Sequence, residues 1–359
     1  IAYAPPVTPS LAIPVDVDDV TPAWFSQVLG LDVVATEVLD RHSGTTGRAR
    51  LALTYGSGVD RERPPSVFVK LPPFDEKQRR FVAQTGLGTA EARFYRDVAA
   101  DVPVRVPAVL YAALDDDGGY VMLLEDLEAT GCRFPRPDDA DIVAVVDSIV
   151  VELARLHAQY WEHPALGSEL SWASEGMRIA FGSGARFMQM ALDQFADDMP
   201  PAYRRLGELY ITQTRAIADL WAAPPHTLAH GDPHMGNLFV DGARAGFFDW
   251  GMVMRKAGMW DVAYVICNSV PTEIRRANER AWIDGYRDEL GRAGVLLDAA
   301  TAWEQYRLYA VYSWNSAVST AAMGSRWQPE ARAHAAMLRT TTAIEDLDSI
   351  ALLTEKLGA

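Results

Sequence analysis

The order of hydrophobic patterns along the chain restricts its fold more than any other feature. Short apolar runs typical of strands cover roughly 31–40, 48–56, 65–71, 107–113 and 119–124, with turn-forming residues between them. After Glu125 the spacing of apolar residues changes to that of amphipathic helices, interrupted only by short strands near 226–229, 237–241 and 245–249. A strand-rich part followed by a helix-rich part predicts an α+β protein with a ligand-binding cleft between the two parts.

Composition excludes several classes of function. Among the 359 residues, 48 are acidic and 33 are lysine or arginine, which gives a net charge of −15. Nucleic-acid coats and polybasic membrane binders need the opposite balance, because they neutralise phosphate. Two cysteines are too few for a disulfide framework, and no apolar stretch reaches the length of a membrane span. The sequence therefore predicts a cytoplasmic protein without a nucleic-acid or membrane partner.

The densest group of chemically active residues lies in one loop and the hairpin after it. From residue 230 the loop reads His-Gly-Asp-Pro-His-Met-Gly-Asn, and an Asp-Trp pair follows the hairpin. Pro233 and Gly236 exclude a regular helix, so the loop can turn Asp232 and Asn237 toward one point. The hairpin returns the chain and would bring Asp249 beside them. Two carboxylates and one amide oxygen suit Mg²⁺ with bound phosphate.

A metal-dependent hydrolase is an alternative interpretation of the same loop. His230, Asp232 and His234 are residue types that bind zinc. However, two histidines at this spacing share one face only on a helix, and Pro233 lies between them. The hydrolase interpretation also leaves the amide and the second carboxylate without a role, so it is the less favoured one.

The loop and the Asp-Trp pair resemble the catalytic loop and metal-binding aspartate of the protein-kinase-like fold. They are most similar to the aminoglycoside phosphotransferase family and its choline-kinase and ecdysteroid-kinase relatives. The residues that carry the resemblance are His230, Gly231, Asp232, His234, Gly236, Asn237, Asp249 and Trp250. The resemblance implies a bilobal fold with a small antiparallel β-sheet lobe and a large helical lobe. The expected boundaries are an N-terminal arm at 1–20, a nucleotide-binding lobe at 21–124, a hinge at 125–128 and a helical lobe with the substrate site at 129–359.

The resemblance also implies a reaction. The chain would use ATP and Mg²⁺ to phosphorylate a hydroxyl group of a small molecule, such as an aminoglycoside-like, choline-like or sterol-like acceptor. Asp232 would act as the catalytic base, Asn237 and Asp249 would hold Mg²⁺, and the two histidines of the loop would be structural. A nucleotide-binding protein of the same fold without turnover is the second interpretation. The presence of all these residues, together with Lys70, favours a working enzyme.

Candidate nucleotide-binding residues lie upstream. Lys70 is one of only four lysines and follows three apolar residues of a predicted strand, where the family has the lysine that contacts the ATP phosphates. Glu91, in the helix about twenty residues later, matches the glutamate that pairs with this lysine. The turn Ser43-Gly44-Thr45-Thr46 would cover the phosphates, and the backbone from Glu125 to Leu127 would bind adenine.

The acceptor pocket is the least defined part of the sequence. Candidate walls are the segment 165–200 and a helix that carries Trp303, Tyr306, Tyr309, Tyr312 and Trp314. Steps of three residues fall short of a full helical turn by about 60°, so only two or three of these rings can line one pocket. The others are expected in the core. The sequence alone leaves cationic and apolar acceptors equally open.

Overall fold

The computed structural model describes residues 12–57, 63–174, 183–324 and 330–358. These residues form two compact units. The first comprises the described residues up to Arg133 together with Gly246–Val253. The second comprises Phe134–Ser174, the described residues from there to Ala245, and those from Met254 onward.

The first unit contains a five-stranded antiparallel sheet, as the strand patterns predict. Its strands are β1 (Val33–Ser43), β2 (Gly47–Tyr55), β3 (Ser66–Leu71), β4 (Val109–Leu114) and β5 (Tyr120–Glu125). They are ordered β1-β2-β3-β5-β4. The early strands thus pair with their neighbours in sequence, which short turns permit.

The two faces of this sheet carry different kinds of residue. Helix α1 (Pro22–Leu29) packs its buried Trp24 and Phe25 against one face, in a core that includes Leu51 and Val69. Because successive strand residues alternate between faces, Lys70 lies on the opposite face from Val69. Apolar burial against α1 therefore fixes which face carries the predicted lysine.

Two helices and part of the N-terminal arm complete the first unit. Helices α2 (Glu76–Thr85) and α3 (Leu87–Asp97) meet at Gly86, which adopts a φ of +75° that favours glycine. In the described part of the predicted arm, Val17 and Val20 are buried in the core of this unit. The first eleven residues of that arm lie outside the described residues.

The second unit is mainly helical. Its longer helices are α4 (Ile142–Gln159), α5 (Ser183–Phe195), α6 (Pro201–Trp221), α7 (Met259–Tyr264), α8 (Thr272–Arg292), α9 (Ala299–Ala322), α10 (Glu330–Asp346) and α11 (Ser349–Leu357). The short strands are β6 (Thr227–Ala229), β7 (Leu238–Asp241), β8 (Arg244–Phe247) and β9 (Met254–Lys256). β6 pairs with β9 and β7 pairs with β8, and Gly246 of β8 also forms an isolated parallel bridge with Arg105. No helix within the described ranges is long and apolar enough to cross a membrane.

The structure differs from the sequence patterns at three places. The strand expected at 245–249 ends at Phe247, because Asp249 adopts a left-handed conformation (φ 63°, ψ 61°) that cannot continue a strand. The helical pattern predicted after Glu125 is interrupted near the end of the described chain at Asp348, which has a φ of 49° and separates α10 from α11. The three-residue strand β9 is too short to give a sequence pattern of its own.

Candidate active site

Lys70 lies in a buried cluster of charges in the first unit. Its Nζ atom is 2.6 Å from Oε2 of Glu91 and 3.2 Å from Oδ1 of Asp249. The side chains of Lys70 and Glu91 are 4% and 1% exposed, whereas that of Asp249 is 37% exposed. A buried ammonium is tolerated because carboxylates face it, and Asp249 is the member of the cluster that solvent reaches.

The pKa values in this cluster have separable causes. Burial alone would lower the pKa of Lys70, but the charges of Asp249 and Glu91 outweigh it and raise that pKa. Burial raises the pKa of Glu91 to about 7, and the attraction to Lys70 only partly opposes this effect. Lys70 therefore stays charged at neutral pH, while Glu91 titrates near neutrality.

Trp250 explains how Asp249 reaches this cluster. The Trp250 ring stacks on Phe94, with centroids 3.8 Å apart and planes within 7°, and its Nε1 donates to the carbonyl of Phe247 at 3.2 Å. Phe94 lies three residues after Glu91 on α3. The stacked pair thereby ties the left-handed residue Asp249 to the helix that carries Glu91. A strained backbone held by its surroundings is frequent at functional sites.

The predicted phosphate-covering turn connects β1 and β2. Ser43 Oγ accepts a hydrogen bond from the backbone N–H of Phe74 at 3.1 Å, and Gln78 donates to the carbonyl of Gly44 at 2.7 Å. Thr46 is buried, whereas Gly44 and Thr45 are half-buried. The loop after β3 and helix α2 thus hold the turn in place.

The predicted adenine-binding segment is stabilised through its side chains. Glu125 accepts hydrogen bonds from Arg105 at 2.6 Å and from Thr130 at 2.9 Å. Asp126 is buried and paired with Arg50 at 3.0 Å. Burial opposes ionisation of Asp126, but hydrogen bonds from Arg50 and Ser66 outweigh it and lower its pKa. These carboxylates are therefore structural.

The last residue of that segment is held by its own backbone. Leu127 is buried, and its carbonyl accepts a hydrogen bond from the backbone N–H of Cys132 at 3.0 Å. Adenine binding by the backbone of Glu125–Leu127 stays a prediction.

The loop after β6 brings Asp232 and Asn237 together in the second unit. The Asn237 amide nitrogen donates to the Asp232 carbonyl at 2.9 Å and to its Oδ2 at 3.2 Å. A 3₁₀-helix at Met235–Asn237 shapes the return of the loop. The Asp232 side chain is 29% exposed, so its carboxylate is both oriented by Asn237 and reachable from solvent.

The two histidines of the loop act within it. His230 is fully buried, and its Nδ1 accepts from the backbone N–H of Asp232 at 3.3 Å. His234 Nδ1 accepts from the backbone N–H of Gly236 at 3.0 Å. Among the described residues, no three His, Cys, Asp or Glu side chains form a group suited to hold a metal ion. The hydrolase interpretation requires His230, Asp232 and His234 to share one ion, and it stays the less favoured alternative.

A buried chain of hydrogen bonds holds the backbone of the loop that carries Asp232. Asp261 on α7 accepts from the backbone N–H groups of His230 at 2.6 Å and Gly231 at 2.9 Å. Its Oδ2 lies 3.2 Å from Nε2 of His157 on α4, whose Nδ1 lies 2.8 Å from the hydroxyl of Tyr286 on α8. No local sequence pattern marks Tyr286, because its partner His157 lies 129 residues earlier in the chain. Three helices thus fix the backbone just before Asp232.

Two tyrosines lie close to the loop. Burial, and then the charge of Asp232, raise the pKa of Tyr264 well above its usual range, and the same two causes raise that of Tyr312. Tyr312 donates to the carbonyl of Gly231 at 3.4 Å. Both hydroxyls remain protonated at neutral pH. Sequence analysis singled out Tyr312 but not Tyr264, although Tyr264 follows Asp261 by nearly one helical turn.

The aromatic helix α9 divides largely as its spacing predicts. Tyr306, Tyr309 and Trp314 are buried in the core of the second unit. Tyr312 is half-buried and stacks on Trp260 at 3.6 Å. Of the predicted wall, Tyr312 is therefore the aromatic residue in contact with the loop that carries Asp232.

The predicted metal ligands fit Mg²⁺ by their chemistry. Asp249 supplies a partly exposed carboxylate, and Asn237 uses its amide nitrogen on Asp232, which leaves its amide oxygen as the atom that can accept a cation. Oxygen ligands in small number are what Mg²⁺ requires, since it retains several waters. Asn237 belongs to the second unit and Asp249 to the first. Their action on one ion stays a prediction.

Similarity to known proteins extends over most of the chain. The model of a phosphotransferase enzyme family, APH, matches residues 52–309. No curated protein matches the chain significantly.

Three solved structures illustrate the similarity. A choline kinase from Cryptosporidium parvum has a TM-score of 0.56 at 12% identity, over 94% of this chain and 96% of that chain. The GDP complex of aminoglycoside 2'-phosphotransferase-IIIa has a TM-score of 0.53 at 13% identity, over 90% and 96%. A GDP and kanamycin complex of APH(2")-IIIa has a TM-score of 0.54 at 13% identity, over the same shares. At these identities the likenesses establish the fold.

Proposed function

Because the chain belongs to this phosphotransferase enzyme family, and is therefore a small-molecule kinase, we propose that it transfers the γ-phosphoryl group of ATP, with Mg²⁺, to a hydroxyl group of its acceptor. The observation that carries the proposal is the pairing of Asp232 with Asn237 in a loop braced by buried hydrogen bonds. Phosphoryl transfer needs mainly positioning and charge neutralisation, and the two units supply groups for each.

The first unit supplies the groups for the nucleotide. Lys70 is kept charged by its carboxylate neighbours and would bind phosphate oxygens, while Glu91 keeps its ammonium in position. Asp249 and Asn237 would hold Mg²⁺, which when bound would neutralise phosphate charge and fix the geometry of the phosphates. The turn from Ser43 to Thr46 would cover the phosphate chain, and the backbone from Glu125 to Leu127 would contact the base.

The second unit supplies the group for the acceptor. The Asp232 carboxylate would accept the hydroxyl proton of the acceptor as the new oxygen–phosphorus bond forms and the bond to the leaving ADP oxygen breaks. The hydrogen bond from Asn237 keeps one carboxylate oxygen in place. The other members of the loop hold its backbone, so the carboxylate need not reorganise during the reaction.

The acceptor belongs to one of three classes in this proposal. Kanamycin and choline appear in the names of the similar structures, which supports an aminoglycoside-like or a choline-like acceptor. The ring of Tyr312 and its stacked neighbour Trp260 suit either a cation or an apolar surface. A sterol-like alcohol therefore stays in the set to be tested.

Replacing the proposed base tests the reaction. We expect D232N to lower the transfer rate at least about 100-fold, because the amide cannot accept the proton. Binding of ATP with Mg²⁺, measured by calorimetry, should stay within about twofold of wild type, since ATP contacts lie elsewhere. The exposed Asp288 on α8, in the same unit, provides the control D288N with the same change in charge.

The outcomes separate the alternatives. A D232N protein with most of its activity would contradict the assignment of Asp232. A wild-type protein that binds ATP but phosphorylates no member of an acceptor panel would favour the nucleotide-binding protein without turnover. Hydrolysis that depends on stoichiometric zinc would instead favour the hydrolase interpretation.

A further inference from the structure

A row of basic side chains crosses the sheet of the first unit. His42 on β1 is directly opposite Arg48 on β2, and Arg48 is directly opposite Lys70 on β3. Opposed residues of antiparallel strands place their side chains on the same face of the sheet. The three residues therefore form one row, here called the basic row, on the face that carries the Lys70 cluster.

Among the described residues, Arg48 is the member of this row that keeps a buried donor without a hydrogen-bond partner. Lys70 faces the carboxylates of Glu91 and Asp249. In the part of the chain that the structure describes, the Nε atom of Arg48 is buried and has no hydrogen-bond partner. A buried N–H group of a guanidinium without an acceptor is costly and rare in folded proteins. The unpaired donor can therefore accept a ligand atom as its partner, since none of the described residues fills that position.

The far end of Arg48 reaches the turn between β1 and β2. A Cβ atom at Gly44 would lie 3.8 Å from Nη2 of Arg48 and 3.7 Å from Nε2 of His42. Gln78 and Ser43 hold this turn by hydrogen bonds, so its position is defined. The Arg48 side chain therefore runs from its position opposite Lys70 to the turn that contains Gly44, and it is half-buried.

The chemistry of the guanidinium selects the class of ligand. Its planar fork of N–H donors matches two oxygens of a phosphate group, and it stays charged at any physiological pH. Resting on the proposed nucleotide function, we infer that Arg48 binds the phosphate chain of the nucleotide beside Lys70.

Nucleotide titrations test this inference without turnover. ATP, ADP and adenosine are titrated into the wild type and R48Q with Mg²⁺ present, and adenosine is measured as a competitor of a fluorescent ATP analogue. We expect R48Q to bind ATP and ADP about 10- to 100-fold more weakly and adenosine equally well. GTP, GDP and guanosine form the matching series if the base is guanine. The control R96Q removes an exposed arginine of the same unit that pairs with Asp97, and it should change none of these affinities.

A second variant covers the risk that R48Q folds poorly. R48K keeps the charge but lacks Nε and the fork, and we expect it to bind ATP about three- to tenfold more weakly with adenosine unchanged. Equal losses for ATP and adenosine, or wild-type affinity for ATP in both variants, would overturn the role of Arg48. A wild type that binds none of the nucleotides would instead overturn the proposed function, so the two failures are distinguishable.

Discussion

Glu91 couples nucleotide binding to pH at the scale of a single residue. Its pKa is raised to about 7, chiefly by burial, so the carboxylate gains a proton as the pH falls through neutrality. A protonated Glu91 no longer attracts the Lys70 ammonium, 2.6 Å away. The Lys70–Glu91 pair is therefore complete on the alkaline side of neutrality and weakened on the acidic side.

The variant E91Q tests the dependence of ATP binding on the protonation of Glu91. Glutamine mimics the protonated side chain, so E91Q should bind ATP about tenfold more weakly than wild type near pH 8 and about equally well near pH 6. Calorimetry at several pH values gives the ratio of the two dissociation constants. Titration of ATP itself affects both proteins and cancels in the ratio. A ratio that stays constant over this range would contradict the role of Glu91.

The residues of the nucleotide side differ in how far sequence predicts them. Lys70 is conspicuous because lysine is scarce, and Glu91 follows from the resemblance. Arg48 is one of 29 arginines, and only the register of β2 against β3 places it opposite Lys70. Asp249 was expected at the end of a strand, but its left-handed conformation depends on the stacking of Trp250 on Phe94. Contacts over long sequence separations leave no local pattern, so these details required the structure.

At the scale of elements, α4, α7 and α8 together hold the loop that carries Asp232. The hydroxyl of Tyr286 engages Nδ1 of His157, which leaves Nε2 of the same ring to bond Asp261. Gly258 permits this arrangement, because a Cβ atom there would lie 2.1 Å from the Tyr286 hydroxyl. The absence of one side chain just before α7 is thus a condition for the brace, and no local sequence pattern indicates that Gly258, His157 and Tyr286 meet.

Removing the Tyr286 hydroxyl tests whether this brace serves catalysis. We expect Y286F to lose about 1–3 kcal/mol of unfolding free energy, because a buried nitrogen of His157 loses its partner. We also expect kcat to fall about three- to tenfold with little change in the KM for ATP, since the loop backbone before Asp232 is less well fixed. Denaturant unfolding and steady-state kinetics measure the two effects.

A matched variant separates positioning from stability. Tyr203 is also fully buried in the second unit, and its hydroxyl makes two long hydrogen bonds, to the carbonyl of Ala191 at 3.4 Å and to Sδ of Met337 at 3.7 Å. Y203F should therefore leave kcat unchanged. An equal loss of kcat in Y203F and Y286F, or none in Y286F, would show that the brace acts on stability alone.

At the scale of the whole molecule, the order of patterns along the sequence was enough to predict the fold class. The strands β1, β2 and β3 pair with their neighbours in sequence, and the alternation of apolar residues along each strand defines the apolar face of the sheet. Both features can therefore be predicted from the local sequence. The short strands of the second unit are different. β6 pairs with β9, and that pairing depends on the chain between them. The fold class and most strands and helices were therefore predictable from the sequence. The long-range contacts that hold the loop with Asp232 were not.

The net charge of −15 also belongs to the whole molecule, and it distinguishes the acceptor classes. A negative protein attracts cations at a distance, and salt screens that attraction. When KCl is raised from about 20 to about 200 mM, kcat/KM for a cationic acceptor such as an aminoglycoside or choline should fall severalfold, whereas that for an uncharged sterol should change little. Phosphate-transfer assays with all three classes, and with D232N as the inactive control, measure this difference. A cationic acceptor whose kcat/KM does not respond to salt would mean that the acidity of the surface plays no part in its capture.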